Sequence, residues 1–195
     1  MSVLIFCTLP SIISYMYSLL YCRMRGLPCP VQTRKIVFIK IGLCVFFNYL
    51  LTNMTIQKPE ISCMIQLLLL EVLSGIDIHI RKIPTELLAA AGVLSGILFF
   101  HTSGAVLSVF SAILIGSVFY FFRKKIGIGS YDILLIFFLG VLLRSMVDQL
   151  KFAAVILILW GTAGMIVRIL KKERDLSIPL VPLITFGYYA VQTFL

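Results

Sequence analysis

The chain has 195 residues, of which 61% are hydrophobic and 13% charged, and its mean hydropathy is +1.08. A soluble domain cannot hide that much apolar surface from water, so the composition excludes an ordinary soluble globular protein. Lys and Arg outnumber Asp and Glu by 17 to 8. In so apolar a chain we interpret this excess as a signal of membrane orientation, and we predict no nucleic-acid partner.

Apolar runs separated by short polar breaks follow one another along the whole chain. The runs are about 16 to 22 residues long, which favours helices over the ten-residue alternations of a β-barrel. A helix also satisfies the hydrogen bonds of its own backbone within the bilayer. We therefore predict an all-α polytopic membrane bundle of about eight transmembrane helices, forming a single integral membrane domain over residues 1–195. The predicted spans are 3–21, 36–52, 61–76, 86–100, 104–122, 131–147, 152–169 and 178–195.

The basic residues are concentrated in alternate loops. Loops 22–35, 77–85, 123–130 and 168–177 hold 13 of the 17, whereas the opposite loops hold only Lys58, Arg144 and Lys151. By the positive-inside rule the first set faces the cytoplasm, including the short basic loop 22–35, and both termini face outward. Each basic cluster is interpreted as an orientation signal and an anchor for anionic lipid headgroups.

Small residues at a spacing of four predict close helix packing in the fourth and fifth spans. They are Gly92 with Gly96, and Ser108 with Ala112 and Gly116. Such positions let neighbouring helices approach closely and indicate no binding site.

Two aspartates, Asp77 and Asp132, stand at the edges of apolar spans in a chain that holds few acids. Two further spans separate them, so both carboxylates are expected on the cytoplasmic side of the membrane. A carboxylate at membrane depth needs a functional reason or a partner. Glu71, deeper in the third span, must find a partner or be protonated; it either lines the groove between helices or pairs with a polar group such as Gln66.

A pair of carboxylates facing each other across a water molecule can hydrolyse a peptide bond. Like charges about 3 Å apart cannot both ionise cheaply, so the pair shares one proton. The ionised group then deprotonates the water while the protonated group donates to the scissile carbonyl. This chemistry needs no metal and no cofactor, and we predict neither.

The residues around the aspartates fit a site between a loop and a helix. Gly127 and Gly129 permit unusual backbone angles just before Asp132, and Pro84 is suited to opening the helix that follows Asp77. Two ordinary interpretations stay open: a turn, or an aspartate that caps a helix. Asp77 and His79 are also metal-binding residue types, but no further carboxylate or histidine cluster accompanies them.

Three segments resemble the type IV prepilin peptidases, which are GxGD-type membrane aspartic proteases. The first is Asp77 followed by Ile83-Pro84; the second is Gly127-Ile-Gly-Ser-Tyr-Asp132-Ile-Leu-Leu; the third is Ile178-Pro179-Leu-Val-Pro182-Leu. The order and spacing of the segments agree with the family's, and the resemblance covers a peptidase-like region of about residues 61–195.

The resemblance implies that Asp77 and Asp132 are the catalytic pair. It also implies that the substrate is a prepilin or a pilin-like protein, whose short basic leader is removed at the cytoplasmic face of a bacterial inner membrane. Such processing serves pilus assembly or a type II-like secretion system. The sequence leaves the specific prepilin and the oligomeric state open.

The chain departs from the family's pattern at three places. Tyr131 replaces the glycine before the second aspartate, so either the loop runs differently or the phenol hydrogen-bonds the acid pair. Leu134 stands where the family usually has lysine. The loop 22–35 is too short for the cytoplasmic domain with two cysteine pairs, so the methyltransferase activity of larger members is not expected here.

These departures keep an alternative interpretation open. A catalytically impaired relative would act as a non-enzymatic component of pilus or secretion assembly, or as a small proton-coupled transporter.

Overall fold

The computed structural model describes residues 2–25, 61–80, 82–101, 106–143, 145–171 and 178–194, together with positions 39, 41–42, 45–46 and 49. Most of the predicted second span, 36–52, and most of the basic loop 22–35 lie outside the described residues.

The described residues form helices and contain no strand, which confirms the all-α fold class. The helices are α1 Ser2–Met24, α2 Ile61–Ile80, α3 Thr85–His101, α4 Val106–Ile126, α5 Ser130–Leu142, α6 Met146–Lys171 and α7 Val181–Phe194. Two of them, through their segments Val106–Lys125 and Met146–Ile166, are long and apolar enough to cross a membrane. The expected eight transmembrane helices are therefore not confirmed, since the described part of the chain supplies two.

Several predicted boundaries are wrong. The fifth span was predicted to end at residue 122, but α4 continues to Ile126, and the seventh was predicted to begin at residue 152, but α6 begins at Met146. The third span was expected to end at residue 76, but α2 continues to Ile80, so Asp77 lies in the last turn of a helix and not in a loop. The sixth was expected to continue to residue 147, but α5 ends at Leu142 and α6 begins at Met146. With 13 residues, α5 is about 20 Å long, well short of a hydrocarbon core of about 30 Å.

The chain divides into two compact units, Met1–Lys82 and Ile83–Leu195. In the first unit, α1 packs against α2. Small and polar side chains recur every three or four residues along the buried face of α1: Ser11, Ser14, Ser18 and Cys22. Its exposed face carries Leu and Ile instead, including Leu9, Ile12 and Leu20.

The second unit is organised around α5, which packs against α3, α4 and α7. Its buried residues are Ile133, Leu135, Ile136, Leu139 and Gly140. The predicted close packing at Gly92 is confirmed, because a Cβ there would lie 2.7 Å from the ring of Phe138. At Gly96 the described residues show no such packing, since a Cβ there would meet no atom of another described element within 4 Å.

The break between α5 and α6 is held by two side chains. Ser145 begins α6: its hydroxyl accepts a hydrogen bond from the Val147 N–H at 3.1 Å. The buried amide Nε2 of Gln149 lies within hydrogen-bond distance of three backbone carbonyls, those of Ser108 at 2.9 Å, Gly140 at 3.0 Å and Leu143 at 3.2 Å. Gln149 therefore joins the end of α5 to the start of α4, which places the break near residue 144.

Candidate active site

The junction between α4 and α5 holds four of the six predicted site residues. The chain leaves α4 through Gly127, whose φ of +76° is the left-handed conformation that favours glycine. The N–H groups of Gly127 and Ile128 both donate to the carbonyl of Arg123, at 2.8 and 3.1 Å, which closes the end of α4. Only three residues separate the helices, so α5 begins at Ser130.

Asp132 is the third residue of α5, and its side chain turns back toward the loop. Its Oδ2 accepts a hydrogen bond from the N–H of Gly129 at 3.1 Å. A Cβ on residue 129 would lie 2.8 Å from that oxygen, closer than real Cβ contacts. The glycine therefore leaves the space that the carboxylate occupies, which gives a physical role to the second glycine of the motif.

Tyr131 does not need the backbone angles of the glycine that it replaces. It lies in the first turn of α5 with helical backbone geometry, and its side chain is 47% exposed. No hydrogen bond joins its hydroxyl to the described part of the chain. Of the two outcomes expected for this substitution, the structure supports a loop in which the residue before the aspartate is already helical. Leu134, one turn from Tyr131, is also exposed.

Arg123 approaches this junction from the end of α4. Its guanidinium carbon lies 4.2 Å from the ring centroid of Tyr120, and its Nη1 donates to the Ser130 hydroxyl at 3.0 Å. A cation is therefore fixed at the first residue of the helix that carries Asp132.

Asp77 belongs to the other compact unit and has a different environment. It is buried, with 5% of its surface exposed, in the last turn of α2. His79 is also buried, and its ring meets Tyr15 of α1 edge-on at 5.3 Å between centroids. Because the two aspartates lie in separate units, the pairing of their carboxylates stays a prediction.

The other acid of α2, Glu71, is buried together with Gln66. The Nε2 of Gln66 makes no hydrogen bond to any described residue. The amide donor of Gln66 is therefore not paired with Glu71, contrary to the suggested partnership.

Pro84 lies immediately before α3, and its carbonyl accepts the N–H of Leu88 at 3.0 Å. The expectation that it opens this helix is confirmed. Among the described residues, no group of three or more His, Cys, Asp or Glu side chains is arranged to hold a metal ion.

Sequence reasoning missed the parts played by Gln149 and Ser145. The spacing Ser145-Met-Val-Asp148 is a capping signal that predicts a helix beginning at residue 146. Nothing in the sequence pattern signals that the Gln149 amide lies near three carbonyls, because one of them, that of Ser108, is 41 residues away in the chain and the other two are brought near by the break after α5.

Comparisons with protein-family models, with curated proteins and with solved structures find no match for this chain.

Proposed function

We propose that the chain is a membrane aspartic endopeptidase that removes the short basic leader of a prepilin or pilin-like protein. The observation that carries this proposal is the geometry of Asp132. Its carboxylate is held by the Gly129 N–H at the start of a short apolar helix, and the glycine leaves the space for it. This arrangement gives a physical purpose to the Gly-x-Gly spacing on which the family resemblance depends.

The proposed chemistry divides the hydrolysis between Asp77 and Asp132. One ionised carboxylate takes a proton from water, which attacks the scissile carbonyl, while the other, protonated, donates to that carbonyl. The leaving amine takes a proton as the bond breaks, and the pair returns to its shared-proton state. In this scheme Gly129 positions one carboxylate, and no cofactor takes part.

A membrane location is supported by side chains that face outward in both units. In α1 the exposed face is apolar and the buried face carries serines, the reverse of a helix in a water-soluble protein. In α4, Phe110 and Phe121 are 66% and 84% exposed. We propose a bacterial inner membrane, with the α4–α5 junction on the cytoplasmic side where the basic loops predict it.

Co-expression with a candidate prepilin tests the proposal. We expect a mobility shift of the size of the leader with the native chain and none with Asp77→Asn or Asp132→Asn. A native chain that is inserted in the membrane but cleaves no prepilin-like substrate would contradict the proposal.

A second function is favoured by the same hydrogen bond at Asp132. An acid at the third helical position that bonds back to the backbone N–H before the helix is an ordinary capping arrangement. In a non-enzymatic assembly component derived from this fold, capping alone would explain Asp132. In a small proton-coupled transporter, the acid would instead move protons.

The variant Asp132→Asn separates these two roles. An asparagine oxygen still accepts from the Gly129 N–H, so the cap and the abundance of the protein are retained. It cannot exchange the proton that hydrolysis requires. Processing by the native chain that is lost in an abundant Asp132→Asn protein supports the peptidase. No processing by an inserted native chain would support the non-enzymatic function, and full processing by Asp132→Asn would show that this acid only caps the helix.

A further inference from the structure

The buried face of α4 ends at Arg123. Its buried apolar residues recur every three or four positions, at Ala112, Ile115 and Phe119, and the partly buried Arg123 follows at the same spacing. A spacing of three or four residues keeps side chains on one face of a helix. Arg123 therefore lies on the face of α4 that packs, whereas the next residue, Lys124, is exposed.

That face of α4 packs against α5 as in an antiparallel helical hairpin. A Cβ on Gly140 would lie 3.6 Å from the Cβ of Ala112, and a Cβ on Gly116 would lie 3.9 Å from the Cβ of Phe137. The contact moves back along α5 as it moves forward along α4. Continued to the loop, this register brings the last turn of α4 to the first residue of α5.

At the loop, a polar contact takes the place of apolar packing. Arg123 Nη1 donates to the hydroxyl of Ser130, the first residue of α5, at 3.0 Å. The ring of Tyr120, whose centroid lies 4.2 Å from the guanidinium carbon, supports the cation. A planar guanidinium held by these two contacts keeps its donors in a fixed direction. The side chain therefore ties the end of α4 to the start of α5.

Arg123 holds the chain on both sides of Gly129. Its carbonyl accepts the N–H groups of Gly127 at 2.8 Å and Ile128 at 3.1 Å, and its guanidinium donates to Ser130. The residues directly before and after Gly129 are thus hydrogen-bonded to the same residue. The position of the Gly129 peptide depends on both contacts, and only the second depends on the side chain of Arg123.

We propose that Arg123 is a positioning residue for the Asp132 carboxylate. By holding Ser130 it fixes the direction of the Gly129 N–H, which donates to Asp132 Oδ2 at 3.1 Å. A general acid or base acts only when it is held within hydrogen-bond reach of the reacting atoms, so small displacements reduce the rate. The catalytic consequence rests on the peptidase function proposed above, whereas the effect on the N–H does not.

A simpler account makes Arg123 one of three cations that offset the dipole at the C-terminus of α4. The other two are Lys124 and Lys125. That account predicts equal effects when Arg123 or Lys124 is neutralised. It also predicts no effect when the Ser130 hydroxyl is removed, because the charge of Arg123 is retained.

Amide hydrogen exchange of Gly129, measured by NMR on the full chain in detergent micelles, tests the proposal without substrate. We expect Arg123→Met and Ser130→Ala each to speed exchange about three- to tenfold, the factor that corresponds to the loss of one net hydrogen bond. Asp132→Ala supplies the rate of this N–H without its acceptor. The matched control, Lys124→Gln, loses a charge from the same helix end and should exchange at the native rate.

Cleavage kinetics on a prepilin substrate show whether the change reaches the reaction. Both variants should lower kcat about three- to tenfold and leave KM unchanged, because the carboxylate is displaced and substrate contacts are not. The double variant, Arg123→Met with Ser130→Ala, should lose no more than either single variant, since both remove the same hydrogen bond. Lys124→Gln should keep the native kcat.

Four results would overturn the proposal: native exchange in both variants, equal acceleration by Lys124→Gln, losses that multiply in the double variant, or a raised KM at native kcat. The last would identify Arg123 as a substrate-binding residue. If Arg123→Met does not fold, Ser130→Ala decides, because it keeps the charge and removes the same hydrogen bond. A native chain that cleaves nothing would contradict the peptidase function, and the exchange rates would still show whether Arg123 holds the Gly129 N–H.

Discussion

In the unit Met1–Lys82, the buried face of α1 carries three serines, whereas in the unit Ile83–Leu195 the buried residues of the short helix α5 are isoleucine, leucine and glycine. Two of the serine hydroxyls bond within their own helix: Ser14 donates to the Ser11 carbonyl at 2.9 Å, and Ser18 donates to the Ser14 carbonyl at 2.6 Å. In the second unit, by contrast, Gln149 bonds across elements to carbonyls of α4 and α5.

This difference teaches that buried polar side chains in one protein have unequal structural importance. A hydroxyl that bonds to its own helix adds little, because that carbonyl already has a partner in the helix. An amide that donates to the carbonyls at the end of a helix stabilises the break, because those buried carbonyls would otherwise lack a hydrogen-bond donor. Four predictions test or sharpen this comparison, from the largest expected effect to the smallest.

Gln149→Leu should lower the free energy of unfolding by about 2 kcal/mol, since it leaves a buried carbonyl at the end of α5 without a donor. The Gly140 carbonyl keeps the Leu143 N–H at 3.0 Å, which limits the loss. Denaturant unfolding in detergent measures the change. Gln192→Leu is the control, because that exposed side chain bonds only to the Tyr188 hydroxyl; equal losses in the two variants would contradict the account.

Gly129→Ala should reduce cleavage at least about tenfold, because the new methyl group occupies the space of the Asp132 carboxylate and moves it from the Gly129 N–H. Initial rates on a prepilin substrate measure the effect. Gly161→Ala in α6 would meet no atom of another described element within 4 Å, so this variant should cleave normally. Undiminished cleavage by Gly129→Ala would show that the position of this carboxylate does not matter.

Gly92→Ala should destabilise the second unit by about 1 kcal/mol, because its methyl group meets the ring of Phe138 at 2.7 Å. Gly96→Ala, one turn further along α3, meets nothing and should be neutral or stabilising, since alanine favours the helix by up to about 1 kcal/mol. Thermal unfolding of the two variants side by side is the measurement. The same shift in both would indicate that α3 and α5 do not meet at Gly92.

Ser14→Ala should change the free energy of unfolding by only a few tenths of a kcal/mol, because the hydroxyl bonds to its own helix. Ser14→Leu should cost about 1 to 3 kcal/mol, since Ser14 is fully buried and its site has no room for a larger side chain. A large loss in Ser14→Ala would mean that this hydroxyl is important between helices, and the contrast between the units would fail.

The sequence predicts the helical class, the order of the helices and the start of α3 at Pro84, because long apolar runs and a helix-opening proline act locally. It misplaces the end of α2, since an aspartate and a histidine look like a loop although Ile76 continues the buried face of the helix. It misplaces the break after α5 because Gln149 acts through carbonyls that are up to 41 residues away in the chain.

For the candidate site, spacing alone indicates Gly127, Gly129 and Asp132. The structure shows that glycine is required at the first two positions for different reasons. Gly127 is needed for its backbone angle, whereas Gly129 is needed for the space beside the carboxylate. No pattern distinguishes these roles, because the second depends on which way the Asp132 side chain turns. The pairing of Asp132 with Asp77 is a long-range property and stays a prediction.

The most direct test of the central claim, that Asp77 and Asp132 act as one acid pair, is a double-mutant comparison of cleavage rates. Asp77→Asn, Asp132→Asn and the double variant are reconstituted in equal amounts, and initial rates are measured on one prepilin substrate. Groups that act as a unit are strongly non-additive, so each single variant should lose nearly all activity and the double variant should lose no more. Substantial cleavage by either single variant, or losses that multiply in the double variant, would contradict the account.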